Sequence, residues 1–281
     1  MAVVCAFSAL GSICLADTVL TASVQITGSH TSGAVLPVEG DYRFVFGRNQ
    51  ATVSSPNGKI FVFDFASKSF TSRNPVTRTY YQADISSVLG VGDRLPSRDS
   101  SNKIKGAVTF EPAPTGVPQP DLAAEAKSFR LLLESTLFWS TGSPGGFGGS
   151  FNTQGGFAFG GGTNRETTRY EGKRVLEGQL WMGSAPAGVD RDQLNAAFEC
   201  ILLWGAPQLT ELSHRVHDSN LAILGADFSV RTEGQRTSLT TPPPLASIKV
   251  TSVQSGTLDP QSLIVPADYR RTSPPVGPWG G

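Results

Sequence analysis

Residues 40–82 read GDYRFVFGRNQATVSSPNGKIFVFDFASKSFTSRNPVTRTYYQ. Within 59–65, Phe61, Phe63 and Phe65 alternate with Ile60, Val62 and Asp64. A period of two puts the three phenylalanines on one face of a strand. Ala66-Ser67-Lys68 turns the chain and 69–73 runs back, which is the start of a hairpin. Residues 40–54 alternate too, with Tyr42, Phe44 and Phe46 sharing a face against Arg43 and Val45. The stretch therefore predicts three or four successive strands with one strongly aromatic face. What covers that face decides the function.

Outward from this stretch, 17–28 (DTVLTASVQITG) alternates and predicts a first strand, and 29–39 is a Gly/Ser/Pro loop. Residues 83–89 predict one or two helical turns ended by Gly90. Lys103–Glu111 and 167–182 read as strands, as do 225–233 and 245–255. Residues 190–204 give the best helix in the chain: Leu194, Ala197, Phe198, Ile201 and Leu202 recur at helical spacing, and Gly205 and Pro207 close it. Residues 208–220 are polar and partly helical. Residues 121–140 fit two patterns. Leu122, Ala126, Phe129, Leu133 and Thr136 make a helical stripe, whereas Phe129, Leu131, Leu133, Leu137 and Trp139 line one face of a strand. The expectation is a short helix, capped by Asp121, passing into a strand. The fold class expected is mainly β (α+β), a curved antiparallel sheet or half-barrel closed by one or two helices.

At 281 residues the chain can bury a sizeable core. Its 31 glycines and 19 prolines stay below the roughly 25–30% that signals wholesale disorder. The 23 basic residues balance 23 acidic ones, which gives no electrostatic reason to expect nucleic acid or an anionic membrane surface as partner. Residues 1–16, MAVVCAFSALGSICLA, carry no charge. They are too short to span a bilayer but suit the apolar part of an export signal, with Cys14-Leu15-Ala16 as a small-x-small cleavage site. No basic stretch precedes them, so the true start is expected further upstream. The mature chain is then expected at 17–272 as one β domain, with a loose tail at 273–281, no transmembrane segment and a periplasmic or otherwise extracytoplasmic location.

Cys5 and Cys14 would leave with the signal, and Cys200 reads as a buried small hydrophobe, so neither a disulfide nor a metal set is expected. His214 and His217 share a helical face near Glu211 and Asp218, but their spacing is not that of a zinc protease and they read as solvated surface residues. No Gly-x-Ser-x-Gly elbow occurs. Asp64, Asp84, Glu134 and Asp227 are scattered, with no spacing that selects a pair. The expectation is a protein with no catalytic residue, metal or cofactor. Residues 141–163 hold the run GSPGGFGGSFNTQGGFAFGGG, which lacks the Gly-Lys-Ser/Thr ending of a phosphate loop. It reads as a Gly/Phe-rich surface insertion, with docking onto the protein's own sheet as the second reading.

The order of parts resembles the LolA-type lipoprotein carriers and related exported bacterial proteins of unknown function. The likeness lies in DYRFVFGRNQATVSS, in the pair KIFVFDFASKSFTSR and RTYYQADI, and in ASIKVTSVQSGTLDPQSLIVPADYRR with its Leu258-Asp259-Pro260, Leu263, Val265-Pro266 and Tyr269 rhythm. It covers 17–83 and 167–271 and consists of residue-type patterns, not catalytic signatures. The resemblance implies an incomplete barrel closed on its concave side by helices, with 190–204 as a plug helix. It also implies that Phe44, Phe46, Phe61, Phe63 and Trp181 line the concave face, where a lipid or lipoprotein would bind. The alternative is a structural or interaction protein whose concavity is filled by its own core.

Overall fold

The computed structural model describes residues 17–28, 36–91, 106–113, 125–141, 168–233 and 245–273. The chain is mainly β: twelve strands form one open, curved sheet. They are β1 (Asp17–Thr27), β2 (Gly40–Phe46), β3 (Gln50–Ser54), β4 (Ile60–Asp64), β5 (Ser69–Asn74) and β6 (Thr79–Asp84), then β7 (Gly106–Pro112), β8 (Lys127–Thr141), β9 (Thr168–Gly183), β10 (Ala222–Glu233), β11 (Leu245–Gly256) and β12 (Arg270–Arg271). The order across the sheet is β12-β6-β5-β4-β3-β2-β1-β11-β10-β9-β8-β7. Neighbours are antiparallel except β12, which lies parallel beside β6.

The β2–β6 meander follows from local chemistry. Asp64 accepts a hydrogen bond from the Ser67 amide, and Asn74 accepts from the amides of Val76 and Thr77. Each is the side-chain-to-backbone bond that lets Asp or Asn open a tight turn. Lys68 and Arg78 then complete the two turns in the left-handed region, at φ 56° and 50°. Two turns of the same build, ten residues apart, hold β4, β5 and β6 in one register. Bulges at Thr21/Ala22 and Ile223/Gly225 break that regularity in the centre of the sheet, where an extra residue bends the strand.

Residues 126–136 are not helical. The helical stripe is overturned because Leu131 and Leu133 pair with Phe110 and Val108 on β7 and with Gly178 and Leu176 on β9. The remainder of the expected helix, 121–124, lies outside the described residues, as do the leader at 1–16, nearly all of the Gly/Phe-rich run and the tail from 274. The stretch from Gly40 folds into five strands, β2–β6, where three or four were expected, because the chain turns at 47–49 as well as at the later turns. The other expected elements appear within a few residues of their predicted bounds. Among them are α1 (Ile85–Leu89), α2 (Arg191–Leu202) and α3 (Leu209–Asp218).

Asp190 caps α2 by accepting from the Gln193 amide at 3.0 Å. Asn195 clamps α2 to β10: its amide donates to the Leu221 carbonyl and its oxygen accepts from the Ile223 amide. From Ala197 to Leu202 every residue of α2 is buried. The C-terminal half of α2 is therefore enclosed on all sides. The helix packs on α1, α3, β3 and β10.

Gly178 marks the tightest approach between strands. A Cβ there would lie 1.9 Å from the Asp227 carbonyl oxygen and 2.6 Å from the Phe228 Cα, both rigid backbone. Gly178→Ala should therefore lower unfolding free energy in urea by about 3 kcal/mol, the upper end for overpacking. A loss below about 0.5 kcal/mol, the ordinary surface value, would contradict the β9–β10 geometry.

Candidate functional site

The ladder registers assemble the aromatic face row by row. One row runs Leu20–Phe44–Val53–Phe61–Ser72–Tyr81, and the next Thr18–Phe46–Ala51–Phe63–Phe70–Ala83. Partners in an antiparallel ladder project to the same side, so Phe44, Phe46, Phe61 and Phe63 share one face. Small residues on β3, Ala51 and Val53, sit between the phenylalanines of β2 and β4. They form a trough, and α2 packs against this strand.

That face is buried. Phe44, Phe46, Phe61 and Phe63 are between 0 and 2% exposed, in one apolar cluster with Leu194, Phe198, Ile201 and Leu212 from the helices. Ring geometry shows how the cover meets the sheet. Trp204, just after α2, stands edge-on to Phe70 at 5.8 Å and to Tyr81 at 6.2 Å, and Phe70 in turn meets Phe63 edge-on at 5.1 Å. Such pairs add about 0.5–1.5 kcal/mol beyond simple area burial. The phenylalanines also stack along their strands, Phe44 with Phe46 and Phe63 with Phe65.

Trp181 belongs to the same buried apolar cluster but sits on the other side of its strand. On β9, Leu176, Gly178, Leu180 and Met182 belong to the face that carries Phe44, whereas Trp181 pairs with Ser128 and Gly225 on the opposite face. It is buried there. Leu180, Trp181 and Met182 are consecutive and apolar, so the sequence carries no parity signal at this point.

Sequence reasoning passed over Glu199. It lies inside the apolar stripe of α2, 1% exposed, and neither carboxyl oxygen has a hydrogen-bond partner. The Ser213 hydroxyl on α3 opposes the effect of burial without reaching hydrogen-bond geometry, and burial pushes the carboxyl up to about 8. Beside it, burial and the Glu199 charge together push the Cys200 thiol up, which leaves it unreactive. Tyr42 and Tyr81 are raised by burial as well. A charged residue amid Phe198, Cys200 and Ile201 was the signal available in the sequence.

His214 and His217 are exposed on α3, and the His217 Nδ1 lies 3.3 Å from the Asp192 carboxylate. Among the described residues no group of three or more His, Cys, Asp or Glu could hold a metal ion, and no helix is long and apolar enough to cross a membrane. No protein-family model matches the chain, and no curated protein matches it either.

Glu199 makes stability depend on pH with a definite sign. The unfolded carboxyl ionises near 4.5 and the folded one near 8. Between these values the folded state binds more protons, so its stability falls as pH rises. The slope is up to about 1.4 kcal/mol per pH unit. Below pH 4.5 the contribution is complete, and above 8 it is gone. Glu199→Gln should flatten urea-unfolding stability across this window. An unchanged slope in the variant would show that Glu199 is not its source.

Proposed function

We propose that the protein is an exported, non-catalytic structural or interaction protein of the extracytoplasmic envelope, whose curved sheet is closed from within by its own helices. The observation that carries this reading is the contact of Trp204 with Phe70 and Tyr81, on a face where four phenylalanines are buried with α2 and α3. Each large apolar side chain taken from water contributes roughly 1.5–3 kcal/mol. That gain goes to the helices, so an acyl chain would have to displace them to claim it. The uncharged leader supports export, and the resemblance to the LolA-type carriers supports an envelope role.

The second reading is the ligand carrier, in which a lipid or lipid-modified partner replaces α2 and α3 over Phe44, Phe46, Phe61 and Phe63. Glu199 favours it. A buried carboxyl without a partner costs free energy in the cover rather than in the sheet, so the cover is the less well satisfied side of the contact.

Native mass spectrometry of the protein purified from its own envelope separates the two readings. We expect a mature chain beginning near Asp17 with no bound lipid. A stoichiometric lipid adduct would reject the self-filled reading in favour of the carrier, and an intact leader on protein from the cytosol would reject export.

A further inference from the structure

After β11 the chain crosses the outer face of the sheet, the side opposite the aromatic rows, and reaches the far edge as β12. Its anchors follow in strand order. The Leu258 amide donates to the Asp17 carboxylate on β1 at 2.6 Å. The Ser262 and Ile264 carbonyls both accept from the Arg73 guanidinium on β5, through different terminal nitrogens. Asp268 pairs with Arg78 in the turn before β6, and Arg270 and Arg271 pair with Thr79 and Tyr80. No side chain of this strap is buried: every residue from 257 to 273 is exposed or half-buried. Polar anchors fix it at these points, and its apolar side chains Leu258, Leu263 and Val265 are only half-buried.

Arg73 is the unusual anchor. It is 4% exposed, yet among the described residues its charge meets no carboxylate. Its two terminal nitrogens hold neutral backbone carbonyls two residues apart, and its Nε has no acceptor. A guanidinium binds a bidentate oxyanion through a shorter and stronger charge-assisted pair than it can make with neutral carbonyls. Tyr269 of the strap lies close enough to influence the Arg73 charge, which adds a phenol to the same neighbourhood.

We propose that Arg73 is the centre of an oxyanion-binding site on the outer face, and that the C-terminal strap occupies it in cis as a latch. The Ser262 and Ile264 carbonyls stand where the oxygens of a carboxylate or phosphate would bind. An oxyanion that takes the guanidinium releases the middle of the strap, which has no buried side chain to hold it in place. Release uncovers the outer-face row Val45–Thr52–Val62–Thr71, which is buried in the latched chain.

Hydrogen exchange of the full chain, read by mass spectrometry at constant ionic strength, tests this with inorganic phosphate against chloride. In the wild type, phosphate should speed exchange of amides 258–272 at least tenfold and leave β1–β5 unchanged. In Arg73→Met the strap should exchange rapidly from the start and ignore phosphate. Arg73→Lys, which keeps the charge but not the fork, should retain the fold and show a reduced phosphate response. Acetate, and vesicles containing phosphatidylglycerol, separate a carboxylate or a lipid headgroup from free phosphate as the source. A response to any one of the three supports the site. Indifference of the wild-type strap to all three overturns it, as does an equal response in Arg73→Met or a strap that stays protected in that variant.

Discussion

Burial of the phenylalanines of β2 and β4 against the protein's own helices is the contact from which the rest of the architecture follows. A sheet face carrying Phe44, Phe46, Phe61, Phe63 and Phe70 cannot face water at equilibrium, because each ring gains roughly 1.5–3 kcal/mol by leaving it. The trough over Ala51 and Val53 accepts α2. Trp204 closes one end against Phe70 and Tyr81, and Asn195 ties the helix to β10. The enclosed position of α2 then explains why Glu199 is held protonated well into the neutral range.

The N-terminal half of the sheet is covered on both faces by segments that come much later in the chain. Helices from 191–218 cover the inner side, and the strap from 257 onward crosses the outer side. The hairpins of β2–β6 are local and can form early, but their faces stay bare until the last third of the chain arrives. Such long-range closure is slow relative to hairpin formation. The two covers also differ in kind. The inner one is apolar and continuous, whereas the outer one rests on a few polar anchors.

Much of this was legible in the sequence, for identifiable reasons. Alternation at Phe61, Phe63 and Phe65 gave β4, and helical recurrence of Leu194, Ala197, Phe198 and Ile201 gave α2, because the large apolar residues recur at the period of each element. Phe129 and Leu133 are four apart, a spacing that suits a helical stripe and one side of a strand alike. Pairing with β7 and β9 decided between them. Trp181 fell on the other face because its neighbours are buried from both sides. The rhythm of Leu258-Asp259-Pro260, Val265-Pro266 and Tyr269 gave no sign of the strap's course across the sheet, since Arg73 grips backbone carbonyls, which every residue possesses.

The central claim, that the protein's own helical segment occupies the aromatic face, is tested most directly by nuclear Overhauser contacts in lipid-free protein with selectively labelled Trp204, Phe70 and Tyr81. Ring centroids near 6 Å place their protons well within range, so cross-peaks from the Trp204 indole to both rings are expected. A Trp204 indole with no contact to either ring and open to solvent would contradict the account.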